Sequence, residues 1–169
     1  LTLSIALQAC GILIENGESL TLRVACSDIL EALHSDACFQ NHERDAFVGT
    51  ALISIYGKLG RMLEAECVFS ELSCRDVVSW TAMISAYAQQ GLSKAVIQIF
   101  SQMLQSGVLL NKITFVSMLN SCTNPQALCD GKRFHCYIVE RKPDLGKILG
   151  TALVSMYGRC GSLNDARYI

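Results

Sequence analysis

The stretch Gly49-Thr50-Ala51-Leu52-Ile53-Ser54-Ile55-Tyr56-Gly57 returns as Gly150-Thr151-Ala152-Leu153-Val154-Ser155-Met156-Tyr157-Gly158, displaced by 101 residues. The same register pairs His34 with His135, Gly60 with Gly161 and Ala65 with Ala166, so the match extends well past one nonamer. Between the copies, Thr81-Ala82-Met83-Ile84-Ser85-Ala86-Tyr87 carries the same Thr-Ala-apolar-apolar-Ser-x-Tyr frame only 31 residues after the first. The long period is therefore compound. A period in the thirties marks stacked supersecondary units, none of which can bury its apolar face alone, and such stacks present extended surfaces rather than closed pockets.

The apolar spacing says which unit is stacked. In residues 77–111, Ala82, Met83, Ala86 and Tyr87 follow the i, i+3, i+4 rule of a helix that Ser79 can cap and Gly91 can stop. A second helix opens near Ser93, buries a stripe of Ala95, Val96, Ile99, Phe100, Met103 and Leu104, and ends at Gly107. Two such helices joined by a glycine turn make an αα-hairpin. The same plan recurs over 46–76, over 112–146, where Pro125 suits the first turn of the second helix, and from 147, where Ser162 and Asp165 are spaced as a capping box. Residues 1–45 resemble 112–146 with 11 extra residues between Gly11 and Asp28. The expected fold is all-α: an αα-hairpin repeat solenoid, wound as a right-handed superhelix, with about three quarters of its residues helical.

Composition fits. Half the chain is apolar, with only 2 Pro and 12 Gly, and no stretch reaches the roughly 18 uninterrupted apolar residues of a membrane span. No signal peptide is visible, and both ends are expected to be truncated, since the chain opens without Met and stops at Ile169 within a repeat. The nine Cys include no C-x-x-C pair and fall at apolar helical positions, which predicts buried free thiols and a reducing compartment. Cys122, Cys129 and Cys136 recur every seven residues, with His135 alongside, but Asn124-Pro125 breaks the run. Zinc sites bring ligands in close pairs, so no metal is expected.

The 35-residue unit that opens Val77-Val78-Ser79-Trp80-Thr81 and closes Gly107-Val108-Leu109-Leu110-Asn111, set between units of 31 and 35, resembles a pentatricopeptide repeat. The succession of an L-type repeat with an insertion (1–45), an S-type repeat (46–76), a P-type repeat (77–111), an L-type repeat (112–146) and a truncated S-type repeat (147–169) is similar to the PLS subclass of plant organelles. It departs from the family pattern in that insertion and in Leu110, where Pro is usual. The resemblance implies a sequence-specific module for single-stranded RNA in a mitochondrion or chloroplast, engaged in RNA processing and C-to-U editing site recognition, with editing-complex proteins as further partners. The implied targeting segment is absent from this sequence.

In the family, the fifth and last residues of a repeat read one base. Carried over, the pairs are Ser4 with Asp45, Thr50 with Asp76, Thr81 with Asn111, and Val116 with Gly146, while Thr151 stands without its partner. A carboxylate accepts from the two donors on the Watson–Crick edge of guanine, so Asp76 favours G. An amide donates and accepts, so Asn111 favours A, and the implied reading of 46–111 is 5′-GA-3′. The second residue of each repeat, Leu1, Phe47, Val78, Ile113 and Ile148, would pack on base faces; a staple against its own hairpin is the structural alternative. Trp80 and Tyr56, Tyr87 and Tyr157 read as core.

With 14 Lys and Arg against 15 Asp and Glu, the chain lacks the basic excess of a nonspecific nucleic-acid binder. Arg75 and Lys112 lie near the reading positions and could touch phosphates locally. No catalytic set appears, no phosphate loop, and no H-x-E with P-C-x-x-C, so no enzyme, cofactor or small-molecule substrate is expected. The alternative function is a helical protein–protein scaffold of the tetratricopeptide kind, which the near-neutral charge favours.

Overall fold

The computed structural model describes residues 6, 7, 9, 11, 12, 14, 27–35, 46–141 and 146–169. Ser4, Asp45 and most of the insertion lie outside them. Of the described residues 80% are helical and none is in a strand. A helical stretch over 27–35 precedes α1 (Ala46–Leu59), α2 (Met62–Glu71), α3 (Val77–Gln89), α4 (Ser93–Gln105), α5 (Lys112–Asn120), a 3₁₀ turn (Pro125–Ala127) that runs into α6 (Leu128–Glu140), α7 (Gly146–Arg159) and α8 (Leu163–Ala166). No helix among the described residues is long and apolar enough to cross a membrane.

Three of the hairpin turns are built identically. Gly60, Gly91 and Gly161 have φ of 78°, 68° and 75°, a region a side chain would strain. In each, the next amide donates back five residues, Arg61 N to Tyr56 O at 2.9 Å, Leu92 N to Tyr87 O at 3.1 Å and Ser162 N to Tyr157 O at 2.9 Å. The glycine amides donate to the carbonyls of Gly57, Ala88 and Gly158. These are Schellman closures. The repeated Tyr-x-x-x-Gly spacing thus encodes the turn, and the tyrosine backbone is part of it.

The chain divides into two compact bodies, Leu1–Ala86 and Tyr87–Ile169, with the boundary inside α3. In the first, Leu30, Leu52, Ile53, Tyr56, Ala65 and Val68 are fully or almost fully buried where α1 packs on α2. Phe69 meets the buried Trp80 edge to face, with centroids 4.7 Å apart. Gly57 lies so close to α3 that an added Cβ would overlap the Cβ of Ala86 and stand 2.9 Å from its Cα. Only glycine permits that approach.

In the second body α5 packs against α4, α6 and α7, and α7 also packs on α6 and α8. Met103, Met118, Leu119, Ile138, Leu149 and Met156 are wholly buried. Arg159, at the end of α7, donates from Nε to the Cys122 carbonyl at 3.1 Å and from Nη2 to the Leu119 carbonyl at 3.0 Å. It thereby closes the C-terminal end of α5, where unpaired carbonyls favour a cation.

Three local expectations are corrected. The first residue of α3 is Val77, and its cap is Asp76 rather than Ser79; the shorter reach from the preceding residue gives the carboxylate the free amides of the first turn. Ser162 and Asp165 bond side chain to side chain at 2.7 Å, but Ser162 makes no side-chain bond to the helix backbone, so no reciprocal capping box forms. Of the six described cysteines, only Cys122 and Cys160 are buried, while Cys67, Cys74, Cys129 and Cys136 are exposed. Cys67, Cys129 and Cys136 sit on the outer faces of second helices and Cys74 in the connection between α2 and α3, where a small residue is tolerated without burial. Desolvation pushes the Cys122 thiol up to about 11. Among the described residues no group of three possible metal ligands is brought together.

Candidate functional site

The starts of α3 and α5 place a short polar residue, then an apolar one. Asp76 Oδ1 accepts from the amides of Val78 at 3.0 Å and Ser79 at 2.8 Å. Asn111 Oδ1 accepts from the Thr114 amide at 2.8 Å and from Thr114 Oγ1 at 3.0 Å. Aspartate and asparagine are the preferred caps because a short side-chain oxygen reaches the otherwise unpaired first-turn donors. Asp76 and Asn111, the residues just before α3 and α5, therefore have a structural duty that the sequence reading did not assign to them. The bond pattern leaves Asp76 one carboxylate oxygen to present, and leaves Asn111 its Nδ2 hydrogens.

The neighbouring apolar residues are not staples. Phe47, Val78, Ile113 and Ile148 are 59%, 56%, 65% and 67% exposed, whereas a residue packed on its own hairpin would be covered. In the first body Phe47 and Val78 flank an open cleft of about 510 Å³ whose other lining includes Thr50, Ser54 and Asp76. The structure thus brings together Thr50 and Asp76 between two exposed apolar side chains. Thr81, buried, belongs to the first body and Asn111 to the second.

In the second body Ile113 and Ile148 mark the starts of α5 and α7. Gly146, with φ 46°, leaves room in which a Cβ would stand 4.0 Å from Lys112 Nζ. Thr151 is exposed, and its hydroxyl donates to the Lys147 carbonyl at 2.7 Å, a bond within its own helix. Arg75, expected near phosphates, donates instead to the carbonyls of Phe69 and Ser70 at 3.0 and 2.8 Å and lies over the Phe69 ring. It closes the end of α2, and the carbonyl-rich helix terminus is the reason.

Sequence reading also missed a paired contact. His34 Nδ1 is 2.7 Å from the Tyr56 hydroxyl and His135 Nδ1 is 2.8 Å from that of Tyr157. The signal that could have found it is the common spacing of 22 residues. Burial holds His135 below the usual histidine range and Tyr157 above the usual tyrosine range.

Comparison with known proteins agrees with this geometry. A family model described as PPR repeat matches residues 50–77, and one described as PPR repeat family matches residues 75–124. A mitochondrial pentatricopeptide repeat-containing protein of Arabidopsis thaliana is 37% identical over 146 residues, which are 86% of this chain and 14% of that protein. A second mitochondrial one is 36% identical over 98% of this chain and 24% of its own length. A chloroplastic one is 32% identical over 93% and 25%. The chain thus spans a quarter or less of the length of these relatives. The crystal structure of the pentatricopeptide repeat protein PPR10 in complex with an 18-nt psaJ RNA element superposes with a TM-score of 0.71 at 20% identity, covering 97% of this chain and 24% of that one. The helix pairs, their glycine closures and their exposed helix starts are those of a helical repeat solenoid, and the chain belongs to the pentatricopeptide repeat family.

Proposed function

We propose that this chain is a sequence-reading module for single-stranded RNA within a mitochondrial or chloroplastic protein. The observation that carries the reading is the exposure of Phe47, Val78, Ile113 and Ile148 near the start of four helices, with Asp76 and Asn111 beside two of them keeping hydrogen-bonding atoms to spare. Exposed apolar side chains at a repeated position call for a repeated apolar partner. The faces of unstacked bases supply one, while polar neighbours read the edges.

The finer reading takes the alternation of repeat lengths as the PLS order and the role as recognition of C-to-U editing sites. Thr50 with Asp76 would read G, Thr81 with Asn111 would read A, and Thr151 would face a purine. With two complete polar pairs among the described residues, each worth about 1 to 3 kcal/mol, the chain by itself should bind RNA weakly.

The test exploits the double duty of Asp76. Asp76→Asn keeps a capping oxygen and changes the edge shown to a base; Asp76→Ala removes both and should cost about 1 kcal/mol in urea unfolding. Titration of the chain with short RNAs should show that Asp76→Asn moves the preference at one nucleotide from G towards A at unchanged stability. An unaltered G-over-A preference would refute the assigned register, and indifference of the wild-type chain to RNA sequence would favour the protein-scaffold alternative.

A further inference from the structure

The hydroxyl three residues after each cap is used differently in the two bodies. Ser79 Oγ donates to the backbone carbonyl of Asp76 at 2.9 Å and leaves the carboxylate alone. Thr114 Oγ1 donates to the side-chain oxygen of Asn111 at 3.0 Å, the same atom that takes the Thr114 amide at 2.8 Å. Thr114 has no solvent exposure, so its amide and hydroxyl meet Asn111 from within the helix start. An amide oxygen has two lone pairs, and both are occupied. What Asn111 can then offer outward is Nδ2, a donor only. Turning the amide over would set its N–H groups against the Thr114 N–H, donor facing donor, and would leave the helix amide unpaired.

We infer that Thr114 is a positioning residue that sets the base preference at Asn111, by holding its amide in a donor-only state. The inference rests on the RNA-reading function proposed above and refines it. Adenine and cytosine carry an unprotonated ring nitrogen, N1 or N3, in the middle of the Watson–Crick edge, and it accepts from Nδ2. Guanine and uracil carry a ring N–H there, which opposes it. Wild-type Asn111 therefore selects A or C over G or U, rather than adenine alone. Removing the Thr114 hydroxyl frees one lone pair on Oδ1, and the mixed edge that results accommodates all four bases.

The experiment uses the 169-residue chain and short RNAs in which each position is varied in turn. The position at which Asn111→Ala changes the preference identifies the facing nucleotide. There the wild type and Thr114→Ser should favour A and C by about tenfold, the worth of one hydrogen bond that must otherwise be left unmade. Thr114→Val, similar in shape, should bring the four bases within about threefold of each other. Ser79→Ala, whose hydroxyl serves only the backbone, should leave every preference unchanged, and circular dichroism would show that each variant folds.

Tenfold selectivity surviving in Thr114→Val, with Asn111→Ala still abolishing it, would overturn the role of Thr114 and leave the RNA reading standing. Thr114→Ser behaving like Thr114→Val would do the same, since it would make the effect one of packing. No preference in the wild type at any position would remove both.

Discussion

Two junctions in this molecule, 101 residues apart, can be laid over one another side chain by side chain. In the first, the helical stretch 27–35 meets α1 and the start of α2; in the second, α6 meets α7 and the start of α8. The histidine–tyrosine contact is the same in both, at 2.7 and 2.8 Å, with ring centroids 5.6 and 5.7 Å apart. The ion pair beside it is rebuilt from other positions. Glu31 pairs with Arg61 at the first, and Lys132 pairs with Asp165 at 2.8 Å at the second. Position 31 corresponds to 132, so an acid has become a base, but Arg61 corresponds to the uncharged Ser162 and Asp165 to Glu64, so the partner now comes from a different position on the second helix. What recurs is the contact whose geometry packing dictates. Exposed charges need only be opposite, because water screens them and their net worth is small.

The widest difference between the copies concerns a glycine they share. Gly57 is pressed against Ala86, whereas Gly158, in the matching Tyr-Gly, has nothing within 4 Å of where a Cβ would stand. Gly57→Ala should cost about 1 to 3 kcal/mol through overpacking. Gly158→Ala should be neutral or stabilise by up to about 1 kcal/mol, since it lowers the entropy loss of a helical glycine. Urea unfolding of the two variants measures both, and equal effects would show that the copies do not differ in packing.

Next in size comes the feature the junctions have in common. Tyr56→Phe and Tyr157→Phe should each destabilise by about 1 kcal/mol, the typical net worth of a hydrogen bond whose partner remains half-buried. Unequal costs in chemical denaturation would mean that the two contacts are alike in geometry only. The second junction should also respond to pH. Because burial lowers the folded-state value of His135, the unfolded chain binds the proton more readily, and stability is lost as pH falls from the ordinary histidine value of about 6.5 through the lowered one. His135→Phe should flatten that part of the stability profile, which a pH series of melting curves would reveal.

The smallest effect is expected from the charges. The Lys132 bond holds the Asp165 carboxyl below its usual range, but both groups lie in solvent. Lys132→Ala should change stability least of all these variants, and the double change Lys132→Glu with Asp165→Arg, which exchanges the two charges in place, should be tolerated. A large loss in the double variant, seen in the same denaturation assay, would break the claim that polarity here is interchangeable.

Much of this was legible in the chain itself, for reasons visible at particular residues. The tyrosine frame and the glycines after it mark the ends of α1, α3 and α7, because a left-handed closure needs glycine at a set distance. The apolar spacing placed Met83, Val96, Phe100 and Met103 in the core, and a ring as large as that of Trp80 pays for its desolvation only when packed. The capping of α3 was misjudged because Asp76 and Ser79 are both good caps, and only the start of the helix chooses between them. The exposed cysteines were misjudged because a small residue on a helix reads as apolar whichever way it faces.

The sequence by itself determined the period, the helical class, the hairpin turns and the polar-then-apolar signature at the helix starts, since these depend on neighbours close along the chain. Tertiary structure decided that Phe47 and Val78 stand open beside Asp76, and that one of two identical glycines is crowded while the other is free. Those outcomes depend on which surfaces meet, and two copies of the same nine-residue frame can meet different ones.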